Sequence, residues 1–189
     1  MSAMTVLITG NLGYIGSVLT PILGQRGHQV RGFDNGFFRD CLLTPVDEPP
    51  EQITKDIRDI ERKDLEGVTA VVHLAGLSND PLGELDESLT EAINYDASMR
   101  LGELARRMGT RRLVYASSQS MYGRSATGIE LEEDTSEKNP LTAYAKTKWS
   151  AEQDLMTLRS PGFEVTALRP STVYGASPRL RCDIVFNNF

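Results

Sequence analysis

Tyr144 and Lys148 are the two side chains of this sequence best placed for acid–base chemistry. They lie four residues apart in the stretch YAKTK, and residues with this spacing share one face of an α-helix. A free tyrosine has a pKa of about 10, so its ionisation near pH 7 requires roughly 4 kcal/mol of stabilisation. A lysine ammonium and an oxidised, cationic nicotinamide would both supply it. By itself the pair is more often a packed tyrosine beside a solvated lysine. Because the chain also has the glycine-rich stretch TGNLGYIGS, we interpret the pair as a hydride-transfer site.

A hydroxyl donor would complete such a site. Ser117 and Ser118 follow the apolar run RLVYA, and a serine there would hold a substrate oxygen beside Tyr144. This set needs neither a metal ion nor a histidine. With only two histidines in the chain, His28 and His73, a zinc site or a Ser-His-Asp triad would be hard to assemble, so we expect no metal.

Three glycines in the stretch TGNLGYIGS predict a binding site for a diphosphate. Gly10, Gly13 and Gly16 lie between an apolar, strand-like run and a helix-like run. A glycine inside an element costs roughly 0.5–1 kcal/mol relative to alanine, so local stability does not explain them. A pyrophosphate can rest on backbone N–H groups at a helix N-terminus if no Cβ blocks its approach. We call residues 10–16 the glycine turn; the alternative is a purely structural turn.

Asp34 supports the binding interpretation and indicates the cofactor. It follows the second apolar run, 24 residues beyond Gly10. A carboxylate at this position accepts hydrogen bonds from an adenosine ribose and repels a 2′-phosphate. The sequence therefore favours NAD over NADP.

The elements that must position these residues alternate between strands and helices. β-Branched apolar runs predict six strands, over residues 5–9, 29–33, 52–56, 70–75, 112–117 and 164–168. Helical patterns cover residues 14–27, 89–109 and 142–160, with Pro21 expected to kink or weaken the first. Polar or proline-rich loops are expected at 41–52 and 123–139. This alternation is typical of an α/β fold, a parallel sheet covered by helices on both faces.

Composition excludes several classes of function. The 189 residues carry a formal charge of −6, and the pI is near 5.0, which argues against nucleic-acid binding. We find no apolar run long enough to span a membrane and no room for a signal peptide before the first strand, so we expect a cytoplasmic protein without membrane association. The two cysteines, Cys41 and Cys182, are far apart in sequence and are expected to be reduced thiols.

Taken in order, these motifs resemble the extended short-chain dehydrogenase/reductase family, the NAD-dependent sugar epimerases and dehydratases. The resemblance rests on the glycine turn, Asp34, and the stretches HLAG, YASSQSMYG and YAKTK, and it runs from Thr5 to Gly175. It implies a Rossmann fold, a doubly wound parallel sheet, with NAD as cofactor. It also implies a small-molecule substrate, a nucleotide sugar.

The resemblance assigns roles to individual residues. It implies that the diphosphate contacts the glycine turn at Gly10, Gly13, Tyr14, Ile15 and Gly16, and that the adenosine ribose contacts Asp34 and Asn35. It places Asp56 and Ile57 at the adenine, and Leu74, Ala75, Gly76 and Asn94 along the cofactor. Ser118, four residues before Tyr122, joins Tyr144 and Lys148 as the implied catalytic set, and the latter two also bind cofactor. Asn94 matches the family's N-x-x-G-T, although Ala97 replaces its glycine.

Two further features refine the expected chemistry. Dehydratases of this family carry an Asp-Glu pair directly after the catalytic residue, whereas this chain has Gln119 and Ser120. Because neither side chain can act as acid or base near neutral pH, epimerisation or simple keto/alcohol redox is favoured over dehydration. His73 lies within a predicted strand, and we assign it a structural role; Tyr122, Tyr174 and Trp149 are predicted to be packing residues.

The organisation of the chain leaves a second function open. Residues 1–175 are predicted to form the NAD-binding domain, and residues 176–189 the start of a substrate-binding region that is truncated or missing. Residues 184–189 resemble the beginning of a helix. The alternative function is therefore a non-catalytic NAD-binding domain, a sensor or assembly subunit. Family analogy also predicts a homodimer formed through residues 99–108 and 144–158.

Overall fold

A six-stranded parallel sheet forms the centre of the molecule. The computed structural model describes residues 3–46, 49, 51–78, 86–124, 130–183 and 187. The strands are β1 (Thr5–Thr9), β2 (Gln29–Asp34), β3 (Glu51–Thr54), β4 (Ala70–His73), β5 (Arg112–Ala116) and β6 (Glu164–Leu168). They are arranged in the order β3-β2-β1-β4-β5-β6, and all neighbouring pairs are parallel. This order is that of the Rossmann fold.

The helices are α1 (Gly16–Gln25), α2 (Glu87–Glu91), α3 (Ala97–Arg107) and α4 (Ala143–Thr157). A π-helical turn, Ala92–Asp96, joins α2 to α3, and short 3₁₀ helices occupy Arg39–Cys41, Ile57–Asp59, Arg62–Leu65 and Gln119–Tyr122. None of the helices in the described ranges is long and apolar enough to cross a membrane.

Alternation along the strands buries both faces of the sheet. Leu7 of β1 and Val71 of β4 belong to the main apolar cluster, which also contains residues of α3 and α4. Their neighbours Val6 and Ile8 belong to a second cluster on the opposite face, together with Leu23 of α1. Successive side chains of a strand point to opposite faces, so helices cover both sides. The predicted fold class is confirmed.

The predicted elements need only small corrections. β1 and β6 have the predicted bounds, and the other four strands differ from prediction by at most two residues at either end. Helix α1 continues past Pro21 to Gln25. The predicted helix 89–109 is interrupted by the π-helical turn. The loop predicted at 123–139 lies partly outside the described residues, as does most of the helix expected at 184–189.

The strand order determines where a ligand can lie. The order reverses between β1 and β4, and in open α/β sheets ligands bind beyond the carboxyl ends of the strands at such a switch point. The residues that follow β1, β2, β4 and β5 are the glycine turn, Asn35, Leu74 and Ser117. The fold thus gathers most of the predicted site residues at one edge of the sheet.

Candidate active site

The glycine turn connects β1 to α1, and two of its glycines are required by the protein's own packing. Gly10 has φ = +73°, and a Cβ there would lie 2.8 Å from the backbone nitrogen of Ala75. A Cβ on Gly16 would lie 2.2 Å from the carbonyl oxygen of Gly10 and 2.6 Å from Cα of Asn11. Neither position tolerates a side chain without backbone movement.

Gly13 differs from the other two glycines. A Cβ there would meet only the carbonyl oxygen of Gly10, at 3.2 Å, and the residue is not among the glycines with positive φ. A methyl group at Gly13 therefore needs a shift of only a few tenths of an ångström, much less than at Gly10 or Gly16. The N-cap of α1, Ile15, makes no side-chain capping hydrogen bond, and the first turn of α1 contains no acidic residue. A bare helix N-terminus beside an open backbone is a suitable cradle for a diphosphate.

Asp34 ends β2 and faces the glycine turn. Its carboxylate accepts hydrogen bonds from the backbone nitrogens of Leu12, at 3.3 Å, and Gly36, at 2.8 Å. Burial raises the pKa of Asp34, and the two amide hydrogen bonds together with the charge of Arg39 oppose this rise. The glycine turn therefore orients the carboxylate of Asp34 through Leu12, and the two are predicted to bind neighbouring parts of the same dinucleotide.

Asp34→Asn is expected to reduce the preference for NAD over NADP by about tenfold, because it removes the charge that repels a 2′-phosphate. The amide retains one acceptor for the two backbone donors, so the turn should persist. Calorimetric titration with both dinucleotides measures the ratio. Asp40→Asn, a nearby exposed site, controls for net charge. An unchanged ratio in Asp34→Asn would contradict this role of the carboxylate.

The end of β4 meets the π-helical turn. Asn94 is buried and binds the backbone of Leu77 twice: its Oδ1 accepts from the Leu77 nitrogen at 2.8 Å, and its Nδ2 donates to the Leu77 oxygen at 3.0 Å. A Cβ on Gly76 would lie 2.9 Å from Asn94 Oδ1 and 3.5 Å from Lys148 Nζ. Gly76, Asn94 and Lys148 are thus brought together, as the resemblance implies. π-Helical turns occur frequently at functional sites.

Lys148 presents a buried amine at the centre of this cluster. The residue is 4% exposed, and its Nζ donates to the carbonyl oxygen of Ala116 at 2.9 Å. Nζ also lies 4.8 Å from the ring centroid of Tyr115. Burial lowers the pKa of Lys148 to about 8. A solvated lysine, the alternative interpretation of the sequence, is therefore wrong.

Lys148→Met is expected to stabilise the protein at pH 7 while impairing the site. The usual lysine pKa of 10.5 falls to about 8, so the buried charge costs about 3 kcal/mol, offset by roughly 1 kcal/mol for the hydrogen bond to Ala116. Below pH 8, Lys148 is protonated in both the folded and the unfolded state, so the full cost of the buried charge applies. Between pH 8 and pH 10.5 the folded state releases the proton before the unfolded state does, so wild-type stability rises with pH.

Urea unfolding across this pH range tests the expectation. The stability advantage of Lys148→Met should shrink as the pH rises from 8 towards 10.5. Lys146→Met, an exposed lysine on the same helix, controls for the loss of a surface charge. A constant difference between the wild type and Lys148→Met would show that Lys148 does not titrate in this range.

Tyr144 lies in the first turn of α4, one turn before Lys148, and is half-buried. The pKa of Tyr115 is raised, mainly by burial and next by the charge of an ionised Tyr144. Ser118 is 7% exposed and is the N-cap of the 3₁₀ helix Gln119–Tyr122; its Oγ accepts from the Ser120 nitrogen at 3.1 Å and donates to Ser120 Oγ at 3.0 Å. The neighbouring hydroxyl of Ser117 is buried with no hydrogen-bond partner among the described residues.

Arg169 links three parts of the site and was missed by the sequence analysis. Directly after β6, it donates to Glu152 of α4 through Nε at 3.0 Å and Nη2 at 2.6 Å. Its Nη1 donates to the hydroxyl of Tyr122 at 2.7 Å. Nε also lies 3.3 Å from the second carboxylate oxygen of Glu152, and bidentate pairs of this kind are geometrically specific. The guanidinium thus holds α4 against β6 and against the 3₁₀ helix that Ser118 caps.

The predicted packing residues have mixed outcomes. Tyr122 and Trp149 flank Arg169, with ring centroids 5.7 and 5.6 Å from its Cζ. Tyr174 is 65% exposed, so its predicted role in packing is wrong. His73 is fully buried, as expected of a structural residue.

Three predicted cofactor residues are engaged by the protein itself. Asp56 forms a double hydrogen bond with Arg58, through Nε at 2.9 Å and Nη2 at 2.8 Å. Ile57 is buried in the main apolar cluster. Asn35 is exposed and accepts from the backbone nitrogen of Phe37 at 3.0 Å. Their predicted contacts with adenosine therefore depend on backbone atoms and on the remaining lone pairs.

The segment after β6 folds back onto the glycine turn. The Tyr14 hydroxyl donates to the Gly175 oxygen at 2.7 Å, and Ser177 Oγ donates to the Tyr14 oxygen at 2.8 Å. Arg181 binds Ser78, and its pKa is raised first by Asp183 and also by Tyr144 and Tyr14. No sequence pattern marks Ser177 or the contact of Arg181 with Ser78, because Tyr14 and Ser78 lie more than 100 residues away from them in sequence.

Comparison with known proteins identifies the family. The sequence profile of the NAD dependent epimerase/dehydratase family matches residues 6–186. The chain belongs to this family. Its members, which are of the extended short-chain dehydrogenase/reductase type, depend on NAD, so NAD is the cofactor that family membership assigns to this site.

The relatives span several reactions. The chain is 32% identical over 176 residues to sterol demethylase protein B of Methylococcus capsulatus, covering 91% of this chain and 52% of that protein. It is 31% identical over 178 residues to UDP-glucose 4-epimerase of Corynebacterium glutamicum, covering 92% and 52%. The solved structure of MoeE5 in complex with UDP-glucose and NAD has a TM-score of 0.82 and 31% identity, covering 97% of this chain and 59% of that one. The chain spans about half the length of the curated relatives.

The site residues fit NAD by geometry. The N-terminus of α1 has no side-chain cap, and Gly13 has no side chain that would block the approach of a diphosphate to it. Asp34 lies at the end of the adjacent strand, where an adenosine ribose is bound in this fold. Gly76, Asn94 and Lys148 form a compact cluster at the switch point. A cofactor extending from α1 towards α4 would follow these residues in that order.

Proposed function

We propose that this chain carries the active site of an NAD-dependent epimerase or oxidoreductase acting on a nucleotide sugar. The observation that carries the proposal is the position of Lys148: a buried amine, one helical turn after Tyr144, packed beside Gly76 and Asn94 at the switch point of the sheet. Residues 1–175 would form the NAD-binding domain. The family comparison supports NAD dependence.

Tyr144 removes the proton of the substrate hydroxyl in this proposal. Its phenolate is stabilised by the ammonium of Lys148, and the water-poor surroundings of Lys148 strengthen that interaction. NAD, held by the glycine turn, Asp34 and Lys148, would supply the hydride acceptor and, in an epimerase, the hydride that goes back to the opposite face of the substrate. Ser118 orients the substrate oxygen with its hydroxyl, for which it must turn away from Ser120.

The residues after Ser118 favour epimerisation or simple redox over dehydration. Gln119 and Ser120 occupy the positions where the family's dehydratases carry an acid and a base, and both side chains are non-ionisable near neutral pH. Both are exposed at the start of the 3₁₀ helix. Elimination of water would need a proton donor that these two positions do not provide.

The alternative is a domain that binds NAD without turnover, as a sensor or assembly subunit. We also propose, by analogy with the family, a homodimer formed through α3 and α4. A monomeric mass in light scattering would contradict it.

We further propose that the protein is located in the cytoplasm.

Purified protein incubated with NAD and a panel of substrates distinguishes the two functions. The panel contains UDP-glucose, UDP-glucuronic acid, other nucleotide sugars and, because one relative is a 3β-hydroxysteroid dehydrogenase/Δ5→4-isomerase, a 3β-hydroxysteroid. Product analysis and NADH absorbance report turnover. Turnover of a nucleotide sugar supports the enzyme proposal. Tight NAD binding with no turnover of any substrate would support the binding domain instead.

A further inference from the structure

His73, the last residue of β4, lies in a hydrogen-bond chain whose directions can be assigned. The hydroxyl of Ser98 donates its single proton to the carbonyl oxygen of Asn94 at 2.7 Å. Ser98 Oγ also lies 2.8 Å from His73 Nε2. With its own proton on the Asn94 oxygen it accepts from the ring, and this assignment places the ring proton on Nε2. Burial lowers the pKa of His73 to about 3, with a smaller contribution from the charge of Lys148, so the ring is neutral at pH 7.

The other ring nitrogen must therefore be an acceptor. Thr9 Oγ1 lies 2.6 Å from His73 Nδ1 and donates to it. The same oxygen of Thr9 accepts from the backbone nitrogen of Ala75 at 3.3 Å. With these directions, both ring nitrogens of His73 and the hydroxyls of Thr9 and Ser98 each have a hydrogen-bond partner, and no two donors face each other. All three side chains, Thr9, His73 and Ser98, are at most 1% exposed.

This chain of hydrogen bonds joins the two walls of the candidate cofactor groove. At one end, Thr9 directly precedes Gly10, the first residue of the glycine turn. At the other end, the carbonyl that receives the Ser98 proton belongs to Asn94, whose side chain holds Leu77. A change in the length or direction of this link moves one wall relative to the other.

We propose that His73 is a positioning residue for NAD: in its Nε2-protonated form it fixes the glycine turn and the Asn94 turn at the separation that the cofactor requires. The proposal rests on the proposed NAD site and goes beyond the structural role assigned from sequence. A purely structural histidine would affect the stability of the fold. A positioning histidine also affects cofactor affinity in protein that remains folded.

Variants at His73 separate these two roles. His73→Phe removes both ring nitrogens and leaves two buried hydroxyls mismatched, and we expect it to weaken NAD binding about tenfold or more. His73→Asn keeps an acceptor near Thr9, and His73→Gln keeps a donor near Ser98, so each should restore part of the affinity. Thr110→Val removes a buried hydroxyl that donates to the Val68 oxygen, at the opposite edge of the sheet; it should lower the unfolding temperature without changing NAD affinity.

Calorimetric titration of the full 189-residue chain with NAD, alongside thermal unfolding, provides the affinity data. Equal NAD affinity for the wild type and a folded His73→Phe would overturn the proposal. If His73→Phe does not fold, Ser98→Ala, which removes the acceptor of the Nε2 proton, must show the same loss of affinity.

A second measurement does not depend on NAD binding. ¹⁵N NMR of the wild type at pH 7 should show His73 with its proton on Nε2 and a bare Nδ1, and a proton on Nδ1 would overturn the proposal. A wild type that binds NAD without turnover would contradict the enzymatic function but leave this inference intact. A wild type with the expected tautomer and no NAD affinity would contradict both the proposed function and the positioning role.

Discussion

Tyr144→Phe is expected to reduce turnover about a thousandfold while changing NAD affinity by less than about threefold. The substitution removes only the phenolic oxygen, which is the proposed proton acceptor, and retains the ring that packs in the first turn of α4. Because Lys148 is held independently by its hydrogen bond to Ala116, the cofactor cluster should survive. The measurement is the initial rate with the best substrate of the panel, paired with NAD titration.

Tyr122→Phe is the matched control for this prediction. It also removes one phenolic hydroxyl close to the site, but that hydroxyl accepts a hydrogen bond from Arg169 and is not proposed to touch substrate. It should lower stability by about 1 kcal/mol and leave most of the activity. If Tyr144→Phe retained wild-type turnover, Tyr144 would not be the base. If both variants lost turnover equally, the loss would reflect displacement of α4.

The fold was predictable because it depends on local patterns repeated along the chain. Buried parallel strands require apolar, β-branched residues on both faces, and runs such as TVLIT and AVVH show this directly. The glycine turn was recognisable because three residues without a Cβ lie at the junction of a strand and a helix, where a diphosphate must approach the backbone closely. Tyr144 and Lys148 were recognisable because four residues correspond to about one helical turn.

The remaining features of the site depend on contacts between distant segments. The π-helical turn coincides with a contact between Asn94 and the backbone of Leu77, 17 residues earlier. The link between Arg169 and Glu152 joins a strand end to a helix face. The return of Ser177 to Tyr14 crosses 163 residues. Such contacts are determined by tertiary packing, so a pattern within a short window does not predict them.

The structure also distinguishes the glycines of the turn that are needed for packing from the one that is needed for ligand approach, a distinction that their spacing in the sequence does not reveal. Gly16→Ala is expected to destabilise the protein by about 3 kcal/mol or more and to abolish measurable NAD binding, because the new Cβ collides with backbone atoms that cannot rotate away. The distances of 2.2 Å to the Gly10 oxygen and 2.6 Å to Asn11 Cα are far below van der Waals contact. Urea unfolding and calorimetric titration with NAD measure the two effects.

Gly13→Ala should give the opposite combination. Its Cβ would meet one protein atom, the Gly10 oxygen, at 3.2 Å. This needs a shift of only a few tenths of an ångström, so the free energy of unfolding should fall by no more than about 1 kcal/mol. NAD affinity should nevertheless fall about tenfold or more, because the methyl group occupies the space where a diphosphate approaches the backbone. Gly24→Ala, in α1 with nothing within 4 Å of its Cβ, should stabilise the protein by roughly 1 kcal/mol and leave NAD affinity unchanged.

The comparison of Gly13 with Gly16 tests the reason for the glycine turn. A turn that exists only for packing needs Gly10 and Gly16 but gains from an alanine at position 13, which would reduce the entropy of the unfolded chain. A turn that cradles a diphosphate needs all three glycines. If Gly13→Ala binds NAD as tightly as the wild type, the space above Gly13 has no ligand in it, and the proposed route of the cofactor from α1 to Tyr144 is wrong.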